Sequence, residues 1–185
     1  MNVVYFDQIG RDNTEKCIDL ALKRAGELGI EHVVVASTTG FTIERVVEMT
    51  PGMNVVGVTH SMGFKKEGGD EFEGDRENLK KKGVRILTTT HLMSGLNRGV
   101  RSRYGSGTFS DVVADTLRMF SQGMKVCVEI AVMALDSGLI PAGKEVVVIG
   151  GTGRGADTAV VVMPAHSQNF FDTRVLEVIC KPREG

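Results

Sequence analysis

The sequence has no tryptophan, only two tyrosines and only three cysteines among its 185 residues. The cysteines, Cys17, Cys127 and Cys180, are far apart and form no CxxC pair, so a reduced, cytoplasmic setting is expected. No apolar run approaches the roughly 20 residues of a membrane span. The amino terminus has no basic leader before an apolar core, so no secretory signal is expected either.

A large excess of one charge sign is also missing, since 22 basic and 23 acidic side chains give a formal net charge of -1. This balance excludes a chain that binds nucleic acid over its whole surface, and any electrostatic specificity must be local. The length predicts a single domain over residues 1–185 that can bury its own core. Glycine is abundant instead, with 23 residues where average usage would give about 13.

Short β-branched runs alternate with amphipathic stretches along the chain. After a short apolar start at 2–6, the predicted strands cover 33–36, 54–58, 84–87, 145–149, 159–163 and 175–180. The predicted helices cover about 14–28, 42–49, a polar stretch ending at Gly83, 111–120 and 124–137. This alternation predicts an α/β fold with a mostly parallel sheet covered on both faces. The last two strands follow each other too closely for helical crossovers, which predicts an antiparallel edge.

Two segments are harder to assign. Residues 88–110 are rich in glycine and serine and are assigned no helix or strand, so we expect a long loop. Residues 124–137 are rich in methionine and valine and fit either the core or an interface between copies in a homo-oligomer, and we expect the core. Within this stretch Glu129 is expected to be a paired or half-exposed carboxylate.

Four segments follow predicted strands, at 37–42, 59–69, 88–110 and 150–157, and all are rich in Gly, Ser, Thr or His. The carboxyl ends of parallel strands meet at one edge of a sheet, where ligands bind in such folds. The sequence therefore predicts a binding site at this edge.

The first segment combines hydroxyl groups with a glycine before a predicted helix. Such a turn suits a phosphate because helix amides and the helix dipole favour an anion. Its ligand-binding candidates are Ser37, Thr38, Thr39, Gly40 and Thr42. The alternative is a tight turn in which Thr42 only caps the helix.

The glycine-rich segment at 150–157 matches the dinucleotide fingerprint in spacing, but it is followed by a β-rich stretch and not by a helix, so we reject that interpretation. The interpretation that is left is a flexible loop whose amides approach a ligand, with Arg154 available to bind phosphate or carboxylate. A wide turn with a solvated arginine is the alternative. The candidates here are Gly151, Thr152, Gly153, Arg154, Gly155, Asp157 and Thr158.

The segment at 88–110 has no acidic residue but contains Arg98, Arg101 and Arg103. It predicts a local positive field for an anionic ligand, with a mobile surface loop or RNA binding as alternatives. A metal site of three histidines is conceivable, but no pair has helical ligand spacing, so we expect no metal.

Several motifs together resemble a known family. The Ser37-x-x-Gly40-x-Thr42 turn and the glycine loop at 150–158 resemble the effector loops of the pyruvate kinase C-terminal domain. The match is closer to small stand-alone proteins with that fold, through these segments: Asn13-Thr14, Ser94-Gly95, 125–129, 155–159 and 164–166. The resemblance covers nearly the whole chain.

The resemblance implies a three-layer α/β/α sandwich and flavin mononucleotide (FMN) as the ligand, without pyruvate kinase activity. The site would then also include Thr59, His60, Gly63, His91, Ser94 and Arg98. We therefore expect a phosphorylated small molecule, FMN first, as the partner of a small flavin-dependent oxidoreductase. The alternative is a non-catalytic sensor of a phosphorylated metabolite. Neither nucleic acid nor a membrane is expected as a partner.

Overall fold

The computed structural model describes residues 2–50, 52–64 and 68–184. Within these ranges seven strands form one sheet, and they are β1 (Val4–Phe6), β2 (His32–Ala36), β3 (Asn54–Thr59), β4 (Arg85–Thr88), β5 (Val146–Gly150), β6 (Thr158–Met163) and β7 (Arg174–Pro182). The helices of the same ranges are α1 (Thr14–Leu28), α2 (Phe41–Met49), α3 (Arg76–Lys81), α4 (Gly95–Tyr104), α5 (Phe109–Arg118) and α6 (Gln122–Asp136). Short 3-10 turns occur at Arg11–Asn13 and Ser167–Asp172.

The strand order is β1-β7-β6-β5-β2-β3-β4. Strands β2 to β5 are mutually parallel, whereas β6 runs antiparallel to both β5 and β7. This confirms the α/β class and the mostly parallel sheet. The antiparallel pairs lie where the close spacing of the last strands predicted them, and β1 adds a parallel strand outside β7.

Alternate side chains of the central strands enter two separate cores, which makes three layers. Val33 and Val35 of β2 pack with α1 and α2 on one face, where Ile18 and Ile43 are fully buried. Val34 lies on the other face with α5 and α6. Because both faces are covered, the central strands are continuously apolar, as in parallel sheets generally. The three-layer α/β/α arrangement is thus confirmed.

Helix α6 is buried around nearly its whole circumference, from Gly123 to Leu135. Helix α6 therefore belongs to the hydrophobic core, as expected from its composition. Among the helices that the structure describes, none is both long and apolar enough to cross a membrane.

The expectation of a structureless loop over 88–110 is wrong. Helix α4 occupies Gly95–Tyr104 and ends at Gly105, and α5 begins at Phe109. Helix α4 buries no residue, and its apolar side chains form only a short row, Leu96, Val100 and Tyr104 at i, i+4 and i+8. Gly95 at its first position and Gly99 within it lower its intrinsic helix propensity.

Candidate functional site

A cavity of about 650 Å³ opens at the carboxyl edge of β2, β3, β4 and β5. All four segments that the sequence places at this edge contribute to its walls. The predicted site residues that line it are Ser37, Thr38, Thr39, Thr42, His60, His91, Ser94, Arg98, Gly151, Gly153, Arg154 and Gly155. The structure therefore brings two thirds of the predicted residues together around one space.

Six predicted residues do not line this cavity, and they are Gly40, Thr59, Gly63, Thr152, Asp157 and Thr158. Thr59 is buried and its hydroxyl pairs with Thr88 at 2.7 Å. Thr158 is buried too and shares its hydroxyl between Asp157 and Ser121. These side chains support the loops behind the cavity.

The turn at 37–42 is held in one shape by its own hydrogen bonds. The Gly40 amide donates to the Ser37 hydroxyl at 3.1 Å, and the Ser37 amide donates to the Val58 carbonyl at 2.9 Å. Gly40 has φ +105°, and a Cβ there would lie 3.0 Å from Cα of Gly74. Only glycine fits this position without strain. The turn delivers the chain into α2, whose first amides have no partner in a preceding turn.

The side chain of Asp157 links the glycine loop to the loop that precedes α1. Its fully buried carboxylate accepts hydrogen bonds from the amides of Gly10 at 2.9 Å and Thr152 at 3.1 Å. The hydroxyl of Thr14 accepts the Ala156 amide at 3.0 Å, which adds a second tie between the same loops. As a result the 3-10 turn that begins at Arg11 sits against the glycine loop.

Three arginines on the cavity wall have no carboxylate partner among the described residues, and they are Arg11, Arg98 and Arg154. The Arg11 guanidinium lies 4.2 Å from the centre of the Phe41 ring, and Arg98 lies 4.2 Å from that of Phe64. Stacking on an aromatic face orients a guanidinium and leaves its N–H edge available to an oxyanion.

The remaining charges on the wall are mostly paired. Arg101 pairs with Asp111, and Lys125 pairs with Glu129. The two other carboxylates, Glu44 and Glu73, are exposed and lie at the end that carries the 37–42 turn. They oppose the positive field of the unpaired arginines there.

Glu129 is the buried anion of the site, with only 1% of its surface exposed. Its carboxylate accepts the Met93 amide at 2.6 Å and a hydrogen bond from Lys125, and His91 Nδ1 lies 3.5 Å from it. Burial alone would raise the pKa of Glu129. The hydrogen bond from His91 and the charge of Lys125 outweigh burial and lower the pKa to about 2.

Another part of the cavity wall is apolar, in contrast to the hydroxyl-rich turn. It is formed by Ala36, Val58, Met93, Ala114, Val126 and Ile130. A ligand with an anionic end and an apolar body would match this division of the wall.

Two of the histidines considered for a metal site are neighbours, since the rings of His60 and His91 are 5.6 Å apart. His166 does not line the cavity, and its Nδ1 lies 2.9 Å from Asp136. Across residues 2–50, 52–64 and 68–184, no three metal-ligating side chains are grouped as an ion would require.

Sequence reasoning missed Arg11, Phe41 and Phe64, and it gave Lys125 no role. The expectation that Glu129 is a paired carboxylate is confirmed, although the side chain is buried and not half-exposed. Arg11 lies between β1 and α1, five residues after β1 ends, and the ties to Asp157 hold its turn against the cavity. The i, i+4 spacing of Lys125 and Glu129 was a usable signal, because opposite charges at that spacing share a helix face.

Comparison with known proteins gives one family. The family model described as "Pyruvate kinase, alpha/beta domain" matches residues 15–162. A pyruvate kinase from Cryptosporidium parvum is similar at 14% identity and a TM-score of 0.43, with 80% of this chain and 22% of that chain covered. A structure of Cryptosporidium parvum pyruvate kinase in complex with ADP is similar at 15% identity and a TM-score of 0.40, with 80% and 22% covered.

This chain therefore spans about a fifth of the length of those enzymes. The family match covers most of the chain, from α1 through nearly all of β6. The chain belongs to the pyruvate kinase alpha/beta domain family.

Proposed function

We propose that this protein binds a phosphorylated small molecule in the cavity at the carboxyl edge of the sheet. One observation carries the proposal, namely that Arg11, Arg98 and Arg154 line one cavity without a carboxylate partner in the described part of the chain. Unpaired guanidinium groups around a concave site favour an anionic ligand, and their planar fork suits phosphate oxygens in particular.

The phosphate group would lie at the 37–42 turn. The hydroxyls of Thr38 and Thr39 line the cavity there, and the amides at the start of α2 add donors. Gly40 keeps the turn close to Gly74, and Arg11 and Arg154 reach the same end through the loops that Asp157 joins. Glu44 and Glu73 reduce the positive potential, so we expect moderate affinity for free phosphate.

FMN is the first candidate ligand. A cavity of about 650 Å³ is of the size that holds a mononucleotide, since pockets for drug-sized ligands measure about 300–1,000 Å³. The apolar wall with Met93, Val126 and Ile130 would pack against the flavin ring, and Lys125 would face its polar edge. Bound FMN would supply electron and hydride transfer chemistry, and the protein would supply anchoring and electrostatics.

A titration of the apoprotein with FMN and with riboflavin tests this function, using the quenching of flavin fluorescence. We expect FMN to bind and riboflavin, which lacks the phosphate, to bind at least about tenfold more weakly. Arg154→Ala and Arg11→Ala should each weaken FMN binding about tenfold. Arg174→Ala removes an exposed arginine outside the cavity and should change nothing.

Equal binding of FMN and riboflavin would refute the phosphate site. If the protein ignores both flavins but is stabilised against heat by sugar phosphates, the sensor alternative replaces FMN while the phosphate site stands.

A further inference from the structure

Beyond holding a ligand, the cavity contains a histidine in an arrangement suited to moving a proton. His60 follows β3 and lies on the cavity wall. Its Nδ1 is 2.5 Å from the Glu71 carboxylate, and the Glu71 side chain is only 9% exposed. A carboxylate only accepts hydrogen bonds, so Nδ1 carries the proton and Nε2 of the neutral ring keeps its lone pair.

The ring of His60 is also fixed in orientation. It stacks on Phe64 with centroids 3.9 Å apart and planes 20° apart, and its neighbour His91 meets it edge-on. Arg98 lies 4.2 Å from the centre of the same Phe64 ring. Two groups this close to one ring cannot share a face, so Phe64 is sandwiched between Arg98 and His60.

His60 Nε2 has no hydrogen-bond partner in the part of the chain that the structure describes, whereas both nitrogens of His91 do. His91 Nε2 lies 3.0 Å from the Thr59 carbonyl, which occupies it. Of these two cavity histidines, only His60 therefore offers a nitrogen to a bound molecule.

We propose that His60 is a general acid–base residue of this cavity, oriented by Glu71, and that it acts on the hydroxyl group of a substrate that lies beside the bound phosphorylated ligand. In the step, Nε2 takes the hydroxyl proton, and the O–H electron pair stays on the substrate oxygen. The imidazolium formed is stabilised by the Glu71 carboxylate. This inference rests on the proposed phosphate site for the ligand beside which the substrate lies, but the chemistry of His60 can be tested apart from it.

The first test is the tautomer of His60, read from the ¹⁵N NMR shifts of histidine-labelled protein above the titration range of the ring. Comparison with His60→Asn assigns the signals. We expect Nδ1 to be protonated and Nε2 to be unprotonated. In Glu71→Gln this preference should weaken towards a mixture of tautomers. A wild-type ring protonated at Nε2 would overturn the proposal. The tautomer is measured on the wild-type protein, and a folded variant is needed only to assign the signals.

The second test uses p-nitrophenyl acetate as a probe of an available imidazole base. Nε2 accepts a proton from the attacking water, the water oxygen bonds to the carbonyl carbon, and p-nitrophenolate leaves with the electron pair of the broken C–O bond. We expect His60→Asn to lower the rate at least about tenfold and Glu71→Gln to lower it by a smaller factor. Thermal unfolding of each variant checks that the fold is intact.

His166 provides a matched control, since it also pairs with a carboxylate, Asp136, but lies outside the cavity. His166→Asn should leave the rate unchanged. An equal loss in both histidine variants, or no loss in His60→Asn, would overturn the proposal. Saturating FMN should slow the wild-type reaction; if neither FMN nor a sugar phosphate binds while the loss at His60 persists, the phosphate site fails and the acid–base residue stands.

Discussion

The backbone amide of Gly10 donates a 2.9 Å hydrogen bond to the carboxylate of Asp157, although the two residues are 147 positions apart. The same carboxylate accepts the Thr152 amide and the Thr158 hydroxyl. One buried side chain thus sets the position of Arg11 relative to the glycine loop. The arginine side of the proposed phosphate site depends on a residue that does not itself line the cavity.

Removal of this carboxylate should destabilise the protein. Asp157→Ala leaves three donors without an acceptor and should cost roughly 3 kcal/mol of unfolding free energy. Asp157→Asn keeps an oxygen for Gly10 and Thr152 and should cost only about 1 kcal/mol, because the Thr158 hydroxyl can turn to accept from the amide nitrogen. Urea unfolding measures both values, and equal losses would contradict this account.

The turn at 37–42 should be intolerant of any side chain at Gly40. Gly40→Ala should cost about 2–3 kcal/mol, because a Cβ would meet Gly74 at 3.0 Å in addition to the strain of φ +105°. Gly138→Ala is the matched control, since Gly138 has φ +66° but open space around it, and should cost about 1 kcal/mol. If the two variants unfold at the same urea concentration, the close packing of Gly40 contributes nothing to the free energy of unfolding.

The sheet and the positions of the ligand loops could be predicted because they depend on local patterns. The apolar run at Val33, Val34 and Val35 identifies a strand buried on both faces, and the strand order then brings its following turn to the carboxyl edge. Helix α4 was missed because it buries nothing and its short apolar row of Leu96, Val100 and Tyr104 lies in a segment rich in glycine and serine.

The chemistry of the site was less accessible to sequence reasoning. The contacts of Arg11 with Phe41 and of His60 with Glu71 join residues from separate segments, and no local spacing encodes them. Asp157 has a clear place in the glycine loop, but its burial and its bond to Gly10 make it a support for that loop, which only the packed structure reveals.

Stability should fall in acid through Glu129. Its pKa is lowered from 4.5 to about 2 in the fold, so its contribution is complete above about pH 4.5 and is lost as the pH falls towards 2. The double variant Lys125→Met, Glu129→Gln removes the pair without leaving a buried charge unpartnered. Between pH 6 and pH 3 the wild type should lose roughly 2 kcal/mol more than this variant. Identical losses in urea unfolding would show that the pair does not lower the pKa.

The affinity for phosphate should rise when a neighbouring carboxylate is neutralised. Glu73 is exposed on the cavity wall near the 37–42 turn, and Glu73→Gln should strengthen the binding of inorganic phosphate by roughly threefold. Glu77→Gln, an exposed carboxylate in α3 outside the cavity, is the control and should have no effect. Calorimetric titration at low salt measures both, and unchanged or weaker binding in Glu73→Gln would place the anion elsewhere.

The most direct test of the account is a map of backbone amide NMR shifts during titration with inorganic phosphate. We predict that the largest changes fall on residues 38–43 and 151–155, with a smaller change at Arg11, since these amides surround the proposed phosphate position. Saturable shifts confined to other surfaces, or none at phosphate concentrations that saturate ordinary sites, would contradict the central claim that the 37–42 turn binds an anion.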